Sequence, residues 1–168
     1  MDLFALIDQL IAARPLTKAK VERLTGVPLE VDGTRSNPYY AIYVSAEPAR
    51  SFERIELREA REGATRRGGL LILDLDPLAF DLQHTEIPKR YGQKFSFLPP
   101  NGPPSVKRPA PAYYQYQEPW GELRFGFGRG DGRIEVVVLD AERRLLAWRY
   151  VRSRGRPRSV LLEIRQHE

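Results

Sequence analysis

The chain opens with apolar residues that recur on one side of a helix, at Leu3, Ile7, Leu10 and Ile11. Asp2 stands at the start of this segment, where its carboxylate can cap the first N–H groups, and Arg14-Pro15 closes it. The pattern predicts a first helix within residues 1–13.

A second helix is predicted directly after this proline. Thr17 is a typical capping residue, and Val21 and Leu24 form the apolar side. Gly26 is a typical helix terminator, and Pro28 prevents the helix from resuming. Residues 1–26 are therefore predicted to form a helical hairpin.

Beyond residue 37 the pattern changes to short β-forming segments. Ile55 and Leu57 alternate with charged neighbours, whereas residues 70–75 are apolar on both faces, as in a central strand. The glycine-rich turn 128–132 predicts a hairpin, and a short helical turn is predicted over 77–84. Strands are predicted at 39–45, 52–59, 70–75, 94–98, 113–117, 123–127, 134–139, 145–151 and 160–165.

These elements predict one α+β domain over residues 1–168, with two N-terminal helices packed on one face of a curved antiparallel sheet. Strands that follow one another without crossover helices pair antiparallel. We place the sheet at 37–151 and a basic turn with a terminal strand at 152–168. Six prolines fall within 99–111, which predicts a loop or a polyproline II spacer there.

Composition narrows the class of protein. The 168 residues are 42% hydrophobic, enough for one ordinary core. The absence of cysteine excludes disulfides, thiolate metal sites and thiol nucleophiles. No apolar run approaches the ~20 residues that a membrane span needs, and the start of the chain lacks the basic residues of a secretory signal. We expect a cytoplasmic protein without membrane contact.

The net charge of +5 is concentrated in the tail. From residue 149 onward six arginines stand against two glutamates, which is +4, so residues 1–148 carry only +1. The segment Arg154-Gly155-Arg156-Pro157-Arg158 resembles the AT-hook core, whose arginines lie in the DNA minor groove. DNA binding through Arg154, Arg156 and Arg158 is one alternative, and a charged hairpin tip is the simpler interpretation. We do not expect a nucleic-acid partner, because the body lacks an excess of base.

A second alternative is a phosphatase. Asp74-Leu75-Asp76 follows an apolar strand and resembles the nucleophile motif of haloacid-dehalogenase-type phosphatases, in which two carboxylates act around Mg²⁺. Asp81, His84 and Glu86 are possible additional ligands. The alternating helices of that fold are missing from the pattern. We therefore assign no catalytic residue, no metal and no cofactor.

Aromatic and arginine residues in the predicted strands suggest a protein-binding surface, because tyrosine, tryptophan and arginine dominate the energetics of interfaces. Strand alternation means that Tyr113 and Tyr114 point to opposite faces, as do Trp148 and Arg149. The candidate partner-binding residues are Tyr39, Tyr43, Tyr113, Tyr114, Tyr116, Trp120, Arg124, Trp148 and Arg149.

The second helix resembles that of SmpA/OmlA-type envelope modules, an architecture related to the β-lactamase inhibitory protein. The match is carried by Thr17, Val21, Leu24, Gly26 and Pro28. This resemblance implies a helix-backed curved sheet whose open face binds another protein. We expect a non-enzymatic protein-binding module, most concretely a cytoplasmic inhibitor such as the immunity partner of a bacterial toxin.

Overall fold

The computed structural model describes residues 2–48, 51–62, 64, 68–76, 78–100, 110–128 and 130–141. These residues form an α+β fold with an open antiparallel sheet, which confirms the predicted class. The helices are α1 (Leu3–Ala12), α2 (Lys18–Thr25) and α3 (Ile87–Tyr91), the last preceded by a 3₁₀ turn (His84–Glu86). The strands are β1 (Glu30–Val31), β2 (Tyr40–Val44), β3 (Phe52–Ala60), β4 (Leu70–Leu75), β5 (Ser96–Leu98), β6 (Ala112–Glu118), β7 (Gly121–Phe127) and β8 (Ile134–Asp140).

The ends of the first two helices are set by the residues predicted to cap them, with one exception. The Asp2 carboxylate accepts hydrogen bonds from the N–H groups of Phe4 and Ala5, which confirms it as the cap of α1. Gly26 ends α2 in the left-handed conformation, at φ +69°, as predicted. Thr17 occupies the N-cap position of α2, as predicted, but its side chain makes no capping hydrogen bond. Instead, the Lys18 N–H donates to a Glu59 carboxylate oxygen at 2.9 Å.

The eight strands form one sheet in the order β1-β2-β3-β4-β8-β7-β6-β5, and every paired neighbour runs antiparallel. Two four-stranded meanders therefore meet where β4 pairs with β8. The β4 strand has a neighbour on each side, which confirms the central position predicted for residues 70–75. The chain crosses from β4 to the far edge through the 3₁₀ turn and α3.

One set of residues in the sheet shares a buried cluster with residues of α1 and α2. Strand register places the sheet members on a single face, which we call the core face. The ring of Phe4 in α1 lies 5.9 Å from that of Tyr91, which lies 5.1 Å from Phe125 in β7. Core-face members in the central strands are Ile55, Leu57, Leu71, Leu73, Phe125, Val137 and Leu139.

Several elements differ from the sequence prediction. The helical turn expected at 77–84 occurs later, as the 3₁₀ turn and α3, because Gln83 and Glu86 form a reciprocal capping box there. Strand β1 was not predicted, since its two residues are ordered only by pairing with β2. The predicted strands 145–151 and 160–165, the basic turn and most of the proline-rich segment 99–111 lie outside the described residues.

Candidate functional site

The face of the sheet opposite the core face is built from three rows of paired residues. The first row is Glu56, Ile72, Val138, Arg124 and Gln115, and the second is Arg54, Asp74, Val136, Gly126 and Tyr113. The third is Ile42, Arg58, Leu70, Asp140, Glu122 and Gln117. We call this surface the mixed face, because its centre is apolar and its two sides are polar.

The apolar centre lies on the two middle strands. Val136 and Val138 are each 8% exposed, and Ile72 beside them is half-buried. A Cβ added to Gly126 would lie 2.3 Å from Val136 Cγ1 and 2.7 Å from Tyr113 Cε1. Glycine is therefore required there for the Tyr113 ring to pack across the neighbouring strand. Burial also raises the pKa of the Tyr113 hydroxyl.

On one side of this centre, three arginines converge on one carboxylate, and we call this group the arginine cluster. Arg35 Nη1 donates to Glu56 Oε2 at 2.8 Å and Arg58 Nε donates to Oε1 at 2.9 Å, while Arg54 Nη2 also donates to Oε2. Asp32 belongs to the same group, since its Oδ2 accepts from Arg35 Nε at 2.6 Å. The cluster joins β3 to the turn before β2.

The electrostatics of the arginine cluster keep its carboxylates ionised. Burial of Glu56 opposes ionisation, but the hydrogen bonds from Arg35 and Arg58 outweigh it, and the pKa of Glu56 lies below its ordinary value. The pKa of Asp32 is lowered chiefly by the Thr34 hydroxyl and then by Arg35. The cluster therefore keeps its charges throughout the neutral pH range.

The other side of the mixed face has a second carboxylate surrounded by donors. Glu122 accepts hydrogen bonds from Arg124 Nε and from the side-chain amides of Gln115 and Gln117. Its side chain is 15% exposed, against 37% for Arg124. Neighbouring strands are about 4.8 Å apart, so about 14 Å of sheet separates the backbone of Glu56 from that of Arg124.

The aromatic residues predicted to bind a partner are divided between the faces of the sheet. Register places Tyr113 and Arg124 on the mixed face, and Tyr43, Tyr114 and Tyr116 on the core face. The Tyr116 side chain is only 2% exposed, and its hydroxyl donates to the Gly92 carbonyl. That tyrosine is a core residue in this conformation.

The remaining predicted partner-binding residues lie outside the strands or outside the described chain. Tyr39 is 57% exposed just before β2. Trp120 lies in the β6–β7 turn with the Arg14 guanidinium 4.6 Å from its ring centre. Trp148, Arg149, Arg154, Arg156 and Arg158 fall outside the described residues.

The residues considered for phosphatase chemistry have structural partners. Asp76 accepts a hydrogen bond from the Leu78 N–H in the turn after β4, and Asp74 belongs to the mixed face. His84 stacks on Phe127 at 4.7 Å and its Nδ1 lies 3.0 Å from the Gly132 carbonyl. Within the described part of the chain, no group of three or more His, Asp or Glu residues is arranged to hold a metal.

The arginine cluster was missed by sequence reasoning. Alternation in β3 does place Arg54, Glu56 and Arg58 on one face, and that signal was available. The hydrogen bond from Arg35 to Glu56 gave no such signal, because Arg35 lies 21 positions earlier in the chain. Only strand pairing brings the two together.

Over the described residues, fold and site together define an α+β arrangement with an open eight-stranded sheet, one apolar core face and one mixed face. Comparison of the chain with protein-family models, with curated proteins and with solved structures gives no match. Among the described helices, none has the length and apolar character to cross a membrane.

Proposed function

We propose that this protein is a non-enzymatic binding module that docks another protein on the mixed face. The observation that carries the proposal is the composition of that face. An apolar centre of Ile72, Val136 and Val138 lies between two arginine-containing polar groups, with Tyr113 beside it. An apolar centre with a polar rim, and with arginine and tyrosine beside it, is typical of protein interfaces.

The proposal assigns a different role to each face of the sheet. The helices α1 and α2 share their buried cluster with residues of the core face, and Phe4 approaches that face through Tyr91. In this proposal the helices cover the core face alone and leave the mixed face to a partner. The resemblance of the second helix to SmpA/OmlA-type modules agrees with this arrangement.

The concrete form of the proposal is a cytoplasmic inhibitor, such as the immunity partner of a bacterial toxin. The sheet and its loops would cover the active site of the partner enzyme. Arginine and tyrosine anchors would then supply most of the binding free energy, as they do at other interfaces.

The test begins with capture of a partner from the native host by the tagged full-length chain in high salt. The purified partner should be an enzyme whose activity is inhibited at a one-to-one ratio. Arg58→Glu on the mixed face should weaken inhibition by about tenfold or more, since an interface anchor contributes about 2 kcal/mol. Arg23→Glu on exposed α2 changes the charge equally and should leave inhibition unchanged.

Two results would refute the proposed function. One is a captured protein whose activity is unaffected by stoichiometric amounts of this chain. The other is a complex that tolerates Arg58→Glu and is lost in Arg23→Glu, because that pattern would place the interface on the helices.

A further inference from the structure

The arginine cluster is layered, with its acid below and its bases above. The Glu56 side chain is 6% exposed, whereas those of Arg35, Arg54 and Arg58 are 40%, 46% and 45% exposed. Within this group, the side chains accessible to a partner are therefore those of the arginines. Their positions are fixed from beneath by hydrogen bonds to Glu56.

Most N–H donors of these three guanidiniums make no hydrogen bond to another of the described residues. A guanidinium carries several N–H donors in a planar fork that matches a carboxylate. Arg54 and Arg58 each direct one hydrogen bond to Glu56, and Arg35 directs one to Glu56 and one to Asp32. The outward N–H groups can therefore serve a further oxyanion.

The charge balance of the site limits which oxyanion fits. Arg35, Arg54 and Arg58 stand against Asp32 and Glu56, an excess of one positive charge. Asp74 is opposite Arg54 in the β3–β4 pairing, so a further acid borders this group. The group can neutralise one carboxylate at a time, whereas a phosphate dianion would be repelled by the acids beneath and beside it.

We propose that Arg35, Arg54 and Arg58 bind the carboxylate of an aspartate or glutamate side chain on the partner protein. Glu56 is a positioning residue that holds the guanidiniums in place, and Ile72 offers adjacent apolar surface for the stem of that side chain. This inference rests on the proposed function and adds the chemistry of the partner: an acidic residue on the part of its contact surface that faces the arginine cluster.

The test uses the full-length chain and a simple probe, the acetylated tetraglutamate amide, with the tetraglutamine peptide as its uncharged match. Arginine Nε–Hε signals are followed by NMR during each titration. We expect saturable shifts at Arg54 and Arg58 with tetraglutamate only, and none at Arg23. The double variant Arg54→Gln/Arg58→Gln should weaken binding by about tenfold or more, because each charge-assisted hydrogen bond is worth about 1.5 kcal/mol or more.

Matched variants keep the result interpretable. Arg23→Gln removes a positive charge from α2 and should preserve binding. If the double glutamine variant loses its native amide spectrum, Arg54→Lys/Arg58→Lys replaces it. Lysine keeps the charge without the planar fork, so this variant should also bind more weakly.

Three results of the peptide titrations would overturn the inference: no saturable shift with tetraglutamate, equal shifts with tetraglutamine, or binding that survives the arginine substitutions. A further titration uses inorganic phosphate in place of the peptide. Tighter binding of phosphate than of tetraglutamate would refute the carboxylate assignment. The peptide titration needs no partner. Failure here, together with a partner complex sensitive to Arg58→Glu, would refute only the carboxylate site.

Discussion

Replacing Glu56 with glutamine should lower the free energy of unfolding by about 2 kcal/mol at neutral pH. The substitution keeps the size of the side chain but removes the charge that three guanidiniums contact. An amide can accept at only one of its two terminal atoms, so part of the network loses its acceptor and the three arginines repel one another.

The magnitude follows from the exposure of the partners. A hydrogen bond to a charged group contributes about 1.5–3 kcal/mol when it is well shielded, and an exposed ion pair about 0.2–1 kcal/mol. The Glu56 side chain is shielded, but its arginines are 40–46% exposed and can regain water. Three interactions of about 0.7 kcal/mol each, within the range for exposed ion pairs, give about 2 kcal/mol.

Urea unfolding measures this loss directly. With a slope near 2 kcal/mol/M, the midpoint should move down by about 1 M while the slope stays constant. Glu47→Gln, at an exposed glutamate between β2 and β3, is the matched control and should change stability by less than about 0.5 kcal/mol.

The pH dependence provides a second check on the same cause. Glu56 has a lowered pKa in the folded protein, so its stabilisation is complete above its ordinary value of 4.5. It is lost as the pH falls through the lowered folded value, and the difference between wild type and Glu56→Gln should shrink there. The reasoning would be refuted if wild type and Glu56→Gln differ in free energy of unfolding by less than about 0.5 kcal/mol at pH 7. It would also be refuted if that difference stays constant as the pH is lowered below 4.5.

Three further changes test other parts of the structure by urea unfolding. Gly126→Ala should cost about 1–3 kcal/mol because its Cβ meets two packed side chains, whereas Gly130→Ala, with open space around it, should be nearly neutral. Asp2→Ala should cost about 1 kcal/mol and Thr17→Ala much less, since only Asp2 makes a capping bond; equal losses would contradict this assignment. Tyr91→Phe removes a buried hydroxyl that has no partner in the described chain, so stability should hold or rise, and a loss above about 1 kcal/mol would reveal a missing partner.

The features that were predictable from the sequence are those set by neighbouring residues. The alternation in 52–59 and the apolar run 70–75 fix the character of β3 and β4 without reference to the rest of the chain. The cap at Asp2 and the left-handed Gly26 are likewise set by residues next to them.

What escaped prediction depends on contacts between distant parts of the chain. Alternation requires Tyr113 and Tyr114 to face opposite ways, but only the register with β7 determines which of them meets the core. Helix α3 has five residues and begins beside a proline, too short for a periodic signal. The hydrogen bond from Arg35 to Glu56 depends on the pairing of β2 with β3, which brings these two parts of the chain together.

The accessibility of the mixed face is the central claim, and single-cysteine labelling tests it most directly. The chain has no cysteine, so one introduced thiol is the only site of reaction. In the native protein, Ile72→Cys and Arg58→Cys should react with a maleimide within about tenfold of exposed Glu47→Cys, while core-face Leu73→Cys reacts about a hundredfold more slowly. If the cysteine at position 72 reacts as slowly as the cysteine at position 73, both faces of the sheet are covered. That result would contradict a partner-docking role for the mixed face.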